Sequence, residues 1–479
     1  MGGPTTKRMI SQEAFDEVVR ENMQDFEMEA AEALQDAIDS LTLQGVDLFG
    51  IITCVPGESS VQENPVMKSL DNLKNHFANF ENEEERELLE LPPLLLKFAN
   101  LCDSNTNITD SDADKSFSDS NANAAIAVRN GGVELITSIC GKVSSSGNEE
   151  IIVSALQALT SLLRDVPSAQ TFLKCGGPDI IIGLLKQDTQ NAELLNGCFS
   201  VIAASATGNE ILKESFMNLK VDQLLINALK GHNKGGIPSL YDAIRILVTP
   251  DDYRVAASQV YGYARQFAKV GIAEALVDSL HEGLTSPTLV SASVALKAVV
   301  VNDEICRSIA DKGGVDAVLR CIDDSGEQLN KSVARTCCSL LAKLAGSDHN
   351  KSAIVEKGGM DRLVRLSGRF ADEPSVIQEI MYIISVLCLR SPDHASRAIE
   401  AGAGDLAIRT MQKFPAAQLL QRNACLMIRN LVVRNPENRK ILLDNGIEKI
   451  IRRAKESHEN CKAAATDALR DLGLENYNL

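Results

Sequence analysis

Apolar residues return every third or fourth position along most of the chain, the spacing of helices that bury one face. The segment from Gln421 to Ile451 shows the pattern in full. Ala424, Ile428, Leu431 and Val432 share one stripe while Arg422, Arg429 and Arg434 lie off it, so the spacing predicts a helix with a single buried side. Asn435 then supplies a cap. Pro436 sits at the first position of a second helix, where its missing N–H costs nothing, and Glu437 suits the positive helix end. Asn445-Gly446 stops that short helix, because glycine tolerates the left-handed conformation that ends many helices. Ile447, Ile450, Ile451 and Ala454 resume the stripe beyond the corner.

The same grammar recurs along the chain. Equivalent corners fall at Gly131-Gly132, Gly176-Gly177, Leu219-Lys220, Val270-Gly271, Gly313-Gly314, Gly358-Gly359 and Gly402-Ala403, ahead of Asn445-Gly446. Their second members are 45, 43, 51, 43, 45, 44 and 43 residues apart, the period of a helical solenoid. The one long interval contains Thr249 to Phe267, where Tyr253, Tyr261 and Tyr263 alternate with Arg254 and Arg265. Tyrosine and arginine dominate binding hot spots, so this insertion is a candidate partner site, the alternative being a lengthened helix that packs its tyrosines against its own repeat.

Ahead of the repeats, Phe15, Val18, Val19, Met23 and Phe26 predict one amphipathic helix capped at Ser11. Ala30, Ala33, Leu34, Ala37, Ile38 and Leu41 predict a second. Three regions follow from this pass. Residues 1–55 form an N-terminal helical segment; 56–121 form a linker with weak helices and a Ser/Asn/Asp-rich loop from Asp103 to Ala122; 122–479 form a solenoid of about eight repeats, with the insertion near 249–267.

Composition agrees with stacked helices. Apolar residues make up 44% of the chain but aromatics only 4%, and Trp is absent, so the core has to be filled by Leu, Ile, Val and Ala. None of the twelve cysteines forms a C-x-x-C pair, and most lie in apolar stretches, which reads as reduced thiols in the core. Charge divides the chain. Residues 1–128 carry 25 acidic and 8 basic side chains, which accounts for the whole net charge of −17, and the remainder is balanced at 40 of each. Neither part is a basic surface of the kind that neutralises phosphates, so no direct nucleic-acid partner is expected. No apolar run is long enough for a membrane span, and the expected residence is intracellular, cytoplasmic with the nucleus left open.

The repeat region, with its period and glycine corners, resembles the armadillo family over residues 122–479. The opening ISQEAFDEVVRENMQDFEME from Ile10, the motif RNLVVRNPENRKILLDNG and the ending DALRDLG are similar to one branch of that family with no well-defined activity. The resemblance implies an all-α, armadillo/HEAT-type right-handed superhelical solenoid with an acidic N-terminal helical region. Importin-α, another relative, lines its groove with Trp and Asn from the third helix of each repeat, the Asn holding the backbone of a basic peptide. Aligned to that pattern, the Asn position holds Ser161, Val201, Ile246, Ala298, Lys343, Val386 and Asn430, so only Asn430 matches.

Catalytic motifs are missing. The six histidines are scattered, there is no Gly-Lys-Ser or Gly-Lys-Thr phosphate loop, and Gly-x-Ser-x-Gly is absent. Asp110, Asp112 and Asp114 imitate the start of a calcium loop, but Lys115 stands where a glycine is needed and Asn121 where a bidentate Glu is needed. The expectation is therefore a noncatalytic protein-interaction scaffold, with no catalytic, cofactor or metal residues and no small-molecule substrate. Its concave groove would hold a peptide or helix, with Asn430, Arg429, Arg422 and Lys343 as groove contacts and Tyr253, Tyr261 and Tyr263 as a second patch. The alternatives are a stable structural subunit that holds a catalytic partner and a nuclear-transport cargo adaptor.

Overall fold

The computed structural model describes residues 8–56, 64–80, 90–103, 113–143, 148–187, 191–231, 236–251 and 257–478. Tyr253, Asp110 and Asp112 lie outside these residues. The chain divides by its contacts into two units, residues 1–221 and 222–479.

The N-terminal unit begins with a helical hairpin, Gln12–Gln24 and Ala30–Leu43. Ser11 caps the first helix by accepting from the Ala14 N–H at 3.2 Å. Phe15, Val19, Ala37 and Leu41 close over Val46 and Ile51 as a small core of their own. Phe26, expected on the buried stripe, lies past the end of the helix and is 68% exposed. The chain then doubles back. Arg8–Met9 pairs in parallel with Val46–Asp47, the single strand pair among the described residues, and the Gln12 side-chain amide exchanges hydrogen bonds with the Ile52 backbone at 3.0 and 2.8 Å. Arg129 of helix Ala113–Arg129 binds the group in place, donating to the Ile10 and Asp47 carbonyls at 2.8 and 3.3 Å.

One expectation for residues 56–122 is corrected. The Ser/Asn/Asp run is not a loop throughout: the helix Ala113–Arg129 extends into it from the apolar stretch Ala124–Ala127, which is buried at Ala124, Ile126 and Ala127. Burial of one end overrides the weak helix propensity of the other. The helix Leu91–Cys102 is one of the helices expected within residues 56–121. It carries Pro92 and Pro93 in its first turn and packs against Glu149–Leu162 as though it were the long helix of a preceding repeat. Arg164 joins this region from the far side, bonding Asn121 at 2.7 Å and facing Asp103 at 3.7 Å.

A complete repeat has a short first helix, a second helix and a long third helix. In Pro436–Asp444, Ile447–Ser457 and Lys462–Asp471 the expected cap is present, Asn435 accepting from the Asn438 N–H at 3.2 Å with Pro436 in the first turn. All eight corners turn on one residue with positive φ: Gly131, Gly176, Lys220, Gly271, Gly313, Gly358, Gly402 and Gly446. At five corners it is the first member of the pair and at three the second. Where a second glycine follows, it serves close packing: a Cβ on Gly359 would lie 2.6 Å from Ile354 Cγ2 and 2.7 Å from the Ile354 carbonyl oxygen.

The core runs along the third helices. In the C-terminal unit Pro238–Val248, Leu289–Val299, Lys331–Leu344, Pro374–Cys388, Gln418–Val432 and Lys462–Asp471 stack side by side in chain order. Between them they bury Leu, Ile, Val and Ala against their neighbours. All twelve cysteines are free thiols and ten are buried, so they serve as small apolar side chains. The insertion becomes a first helix of 13 residues, Ala257–Lys269, in place of the 9 residues of Asp303–Asp311. Ala264 and Phe267 pack it, while Tyr261 is 45% exposed.

Candidate functional site

Side-by-side stacking leaves each third helix one narrow uncovered face. Residues that share this face on successive helices are one repeat apart. Lys297, Ser339 and Tyr382 form one column, and Lys343, Val386 and Asn430 form another one helical turn further on. Across Leu289–Val299, Lys331–Leu344 and Pro374–Cys388 the two columns border an open depression of about 480 Å³. Lys297, Ser339, Lys343, Tyr382 and Val386 line it, with Asn302 and Asp303 at one edge.

Its electrostatics are one-sided. Lys297 donates to Ser339 Oγ at 2.6 Å, and no carboxylate lies within ion-pair distance of Lys297 or Lys343 among the described residues. Asp303 at the rim is held by Arg307 at 2.5 Å, and the Asn302 side chain is spent capping its helix through the Ile305 N–H at 2.9 Å. Tyr382 stands 46% exposed between these cations and Val386. Cys306 borders the same space but is 4% exposed, and burial pushes its thiol up, which keeps it protonated and a poor nucleophile near neutral pH. Two cations, a hydroxyl and a phenol face can hold an anionic side chain and an extended backbone. Among the described residues no group of three or more His, Cys, Asp or Glu could hold a metal ion.

The sequence-derived candidates separate in the structure. Lys343 lies in the depression. Asn430 is half-buried and its amide donates to both the Ser385 carbonyl and the Ser385 hydroxyl at 2.9 Å, so it ties one repeat to the next. Arg429 is engaged in the same way, 3.6 Å from Asp467 and 3.3 Å from Asp471 of the last helix. Arg422 is exposed near Cys461. Tyr261 and the half-buried Tyr263 are on the first helix Ala257–Lys269, away from the third-helix face, and Tyr253 is outside the described residues. Lys297, Ser339 and Tyr382 were missed because the sequence comparison followed a single column. The same register read four residues earlier, one turn along each helix, brings out Ser339 and Tyr382, whereas Lys297 lies beside the aligned Ala298 and emerges only from the stacking.

Two family models match the chain: ARMC6 over residues 66–477 and the Armadillo repeat-containing protein 6 N-terminal domain over residues 7–69. The human protein named Armadillo repeat-containing protein 6 is 26% identical over 406 residues, which is 81% of this chain and 75% of that protein. The Drosophila melanogaster homolog is 24% identical over 397 residues, 82% of this chain and 80% of the homolog. Among solved structures, an engineered protein superposes with a TM-score of 0.61 at 18% identity, covering 87% of this chain and 97% of its own. A chain from a structure of the phosphorylation-switched interaction between cadherin and β-catenin gives 0.60 at 15% identity, covering 97% and 81%. At these identities the structural neighbours establish the solenoid fold alone.

Proposed function

The chain belongs to the armadillo repeat-containing protein 6 family, and from that premise we propose that it is a noncatalytic scaffold that holds a peptide along the third helices of its C-terminal unit. The observation that carries this reading is the pair Lys297 and Lys343, two cations on successive repeats with no carboxylate partner among the described residues, beside the exposed face of Tyr382. Such a surface favours an acidic peptide. A carboxylate would sit between the two ammonium groups, and an apolar or proline side chain would cover the phenol ring. The site has no poised acid–base pair or activated thiol among its lining residues, which supports binding over catalysis.

The nuclear-import alternative has less support. The single Asn that matches an importin-like ladder is occupied by Ser385, and Lys297 and Lys343 in the depression would repel a basic cargo. The test is a peptide-library selection on the full chain and on the Lys297→Glu/Lys343→Glu variant. Selected sequences should be acidic, and the variant should lose them by about tenfold or more in affinity. Selection of basic or purely apolar sequences alone, or of acidic sequences none of which the variant loses, would refute the proposal.

A further inference from the structure

A second cationic surface lies on the opposite layer of the C-terminal unit, along the second helices. Each second helix begins at a left-handed glycine, which fixes its register. Seven residues after Gly313, Gly358, Gly402 and Gly446 stand Arg320, Arg365, Arg409 and Arg453, all exposed. The preceding repeat has Asp278 at this position after Gly271, so the column begins at Arg320. The helices that carry it, Gly314–Glu327, Gly359–Arg369, Ala403–Lys413 and Ile447–Ser457, are consecutive neighbours. Packed helices are spaced about 10 Å apart, so the arginines form four rungs over roughly 30 Å.

The column is open. Arg409 and Arg453 have no ion pair among the described residues, Arg365 shares Asp323 with Arg362 and remains 64% exposed, and Arg320 meets only His281 at 3.4 Å. Shallow hollows lie between the rungs. One of about 230 Å³ is lined by Arg362, Arg365 and Arg369 together with Asp323 and Glu327, and another of about 200 Å³ by Lys449 and Arg453 beside Met411. The last three second helices together hold nine basic residues against four acidic ones. Nothing in the scaffold requires this: arginine at an exposed helix position adds no core packing, and repetition in four repeats at one register makes a straight row.

We propose that this row is a docking surface for an acidic polypeptide segment in polyproline II conformation, with a carboxylate at every third residue. Polyproline II rises about 3.1 Å per residue with three residues per turn, so every third side chain falls on one face at about 9 Å intervals, matching the rungs. A β-strand repeats on one face every two residues, about 6.6 Å, and falls out of step. A nucleic-acid strand fits poorly. No exposed aromatic ring stands on these helices to stack a base.

The experiment uses the full chain and a labelled synthetic peptide of Glu-Pro-Ser repeats spanning the four rungs, with fluorescence anisotropy as the readout. A peptide of the same composition with its glutamates contiguous is the control. The repeat peptide should bind with an affinity that falls with salt and should bind several-fold more tightly than the control. Arg365→Gln/Arg409→Gln/Arg453→Gln should weaken it by about tenfold, whereas Lys297→Glu/Lys343→Glu should leave it unchanged, and circular dichroism would confirm that both variants are folded. Equal affinity for the two peptides, loss of binding in the groove variant instead of the arginine variant, or tighter binding of single-stranded RNA would overturn the proposal.

Discussion

Asn430 and Lys343 occupy the same position in repeats two apart, with Val386 between them, and have opposite fates. Asn430 reaches back across the repeat boundary to Ser385 with both amide hydrogens, while Lys343 reaches the open depression. Asn430→Ala should therefore cost about 1–2 kcal/mol, because it leaves the largely buried Ser385 acceptors unsatisfied, and should leave peptide affinity intact. Lys343→Glu should do the reverse. Urea unfolding and peptide titration of the two variants separate these outcomes; a stable Asn430→Ala protein that loses its peptide would make Asn430 a ligand after all. The cysteines give a second residue-level test. Burial pushes the thiols of Cys102, Cys140, Cys388 and Cys425 up to about 12. Above the ordinary thiol value near 9 the unfolded chain releases these protons and the native chain retains them, so stability should fall as pH rises from about 9 towards 12. Alkylation of the native protein should begin at the half-buried Cys54 and Cys175, and early labelling at Cys140 would contradict the buried assignment.

At the scale of helices, most of what the chain does is written locally. The Asn435-Pro436 start, the Ser11 cap and the glycine corners are each set by residues within a few positions of one another, and each was legible for that reason. The corners also predict stability. Gly358→Ala forces a residue with a Cβ to φ +73°, at about 1 kcal/mol, and Gly359→Ala drives that Cβ into Ile354, at about 2 kcal/mol. Lys220 already holds φ +65° as a non-glycine, so Lys220→Gly should gain about 0.5–1 kcal/mol. Thermal melts of the three variants should give two losses and one gain. The helix Ala113–Arg129 was hidden because its first half has no apolar stripe and is held by its second half. The Asn430–Ser385 and Arg429–Asp471 bonds were hidden because their partners are 45 and 42 residues away and follow from the stacking register alone.

Over the whole molecule the acidic excess and the cationic surfaces are in different units. The net charge of −17 belongs to residues 1–128, while Lys297, Lys343 and the arginine column belong to residues 222–479. Residues 8–56 are committed to their own core and to Arg129 within the N-terminal unit. The most direct measurement is a site-specific photocrosslink: a benzoylphenylalanine at position 382 in the full chain, irradiated with the tightest acidic peptide from the library, with position 261 as the comparison. The adduct should form at 382, vanish when Lys297 and Lys343 are both reversed to Glu, and be absent at 261. An adduct at 261, or one at 382 that is indifferent to the two lysines, would contradict a peptide held by the third-helix face.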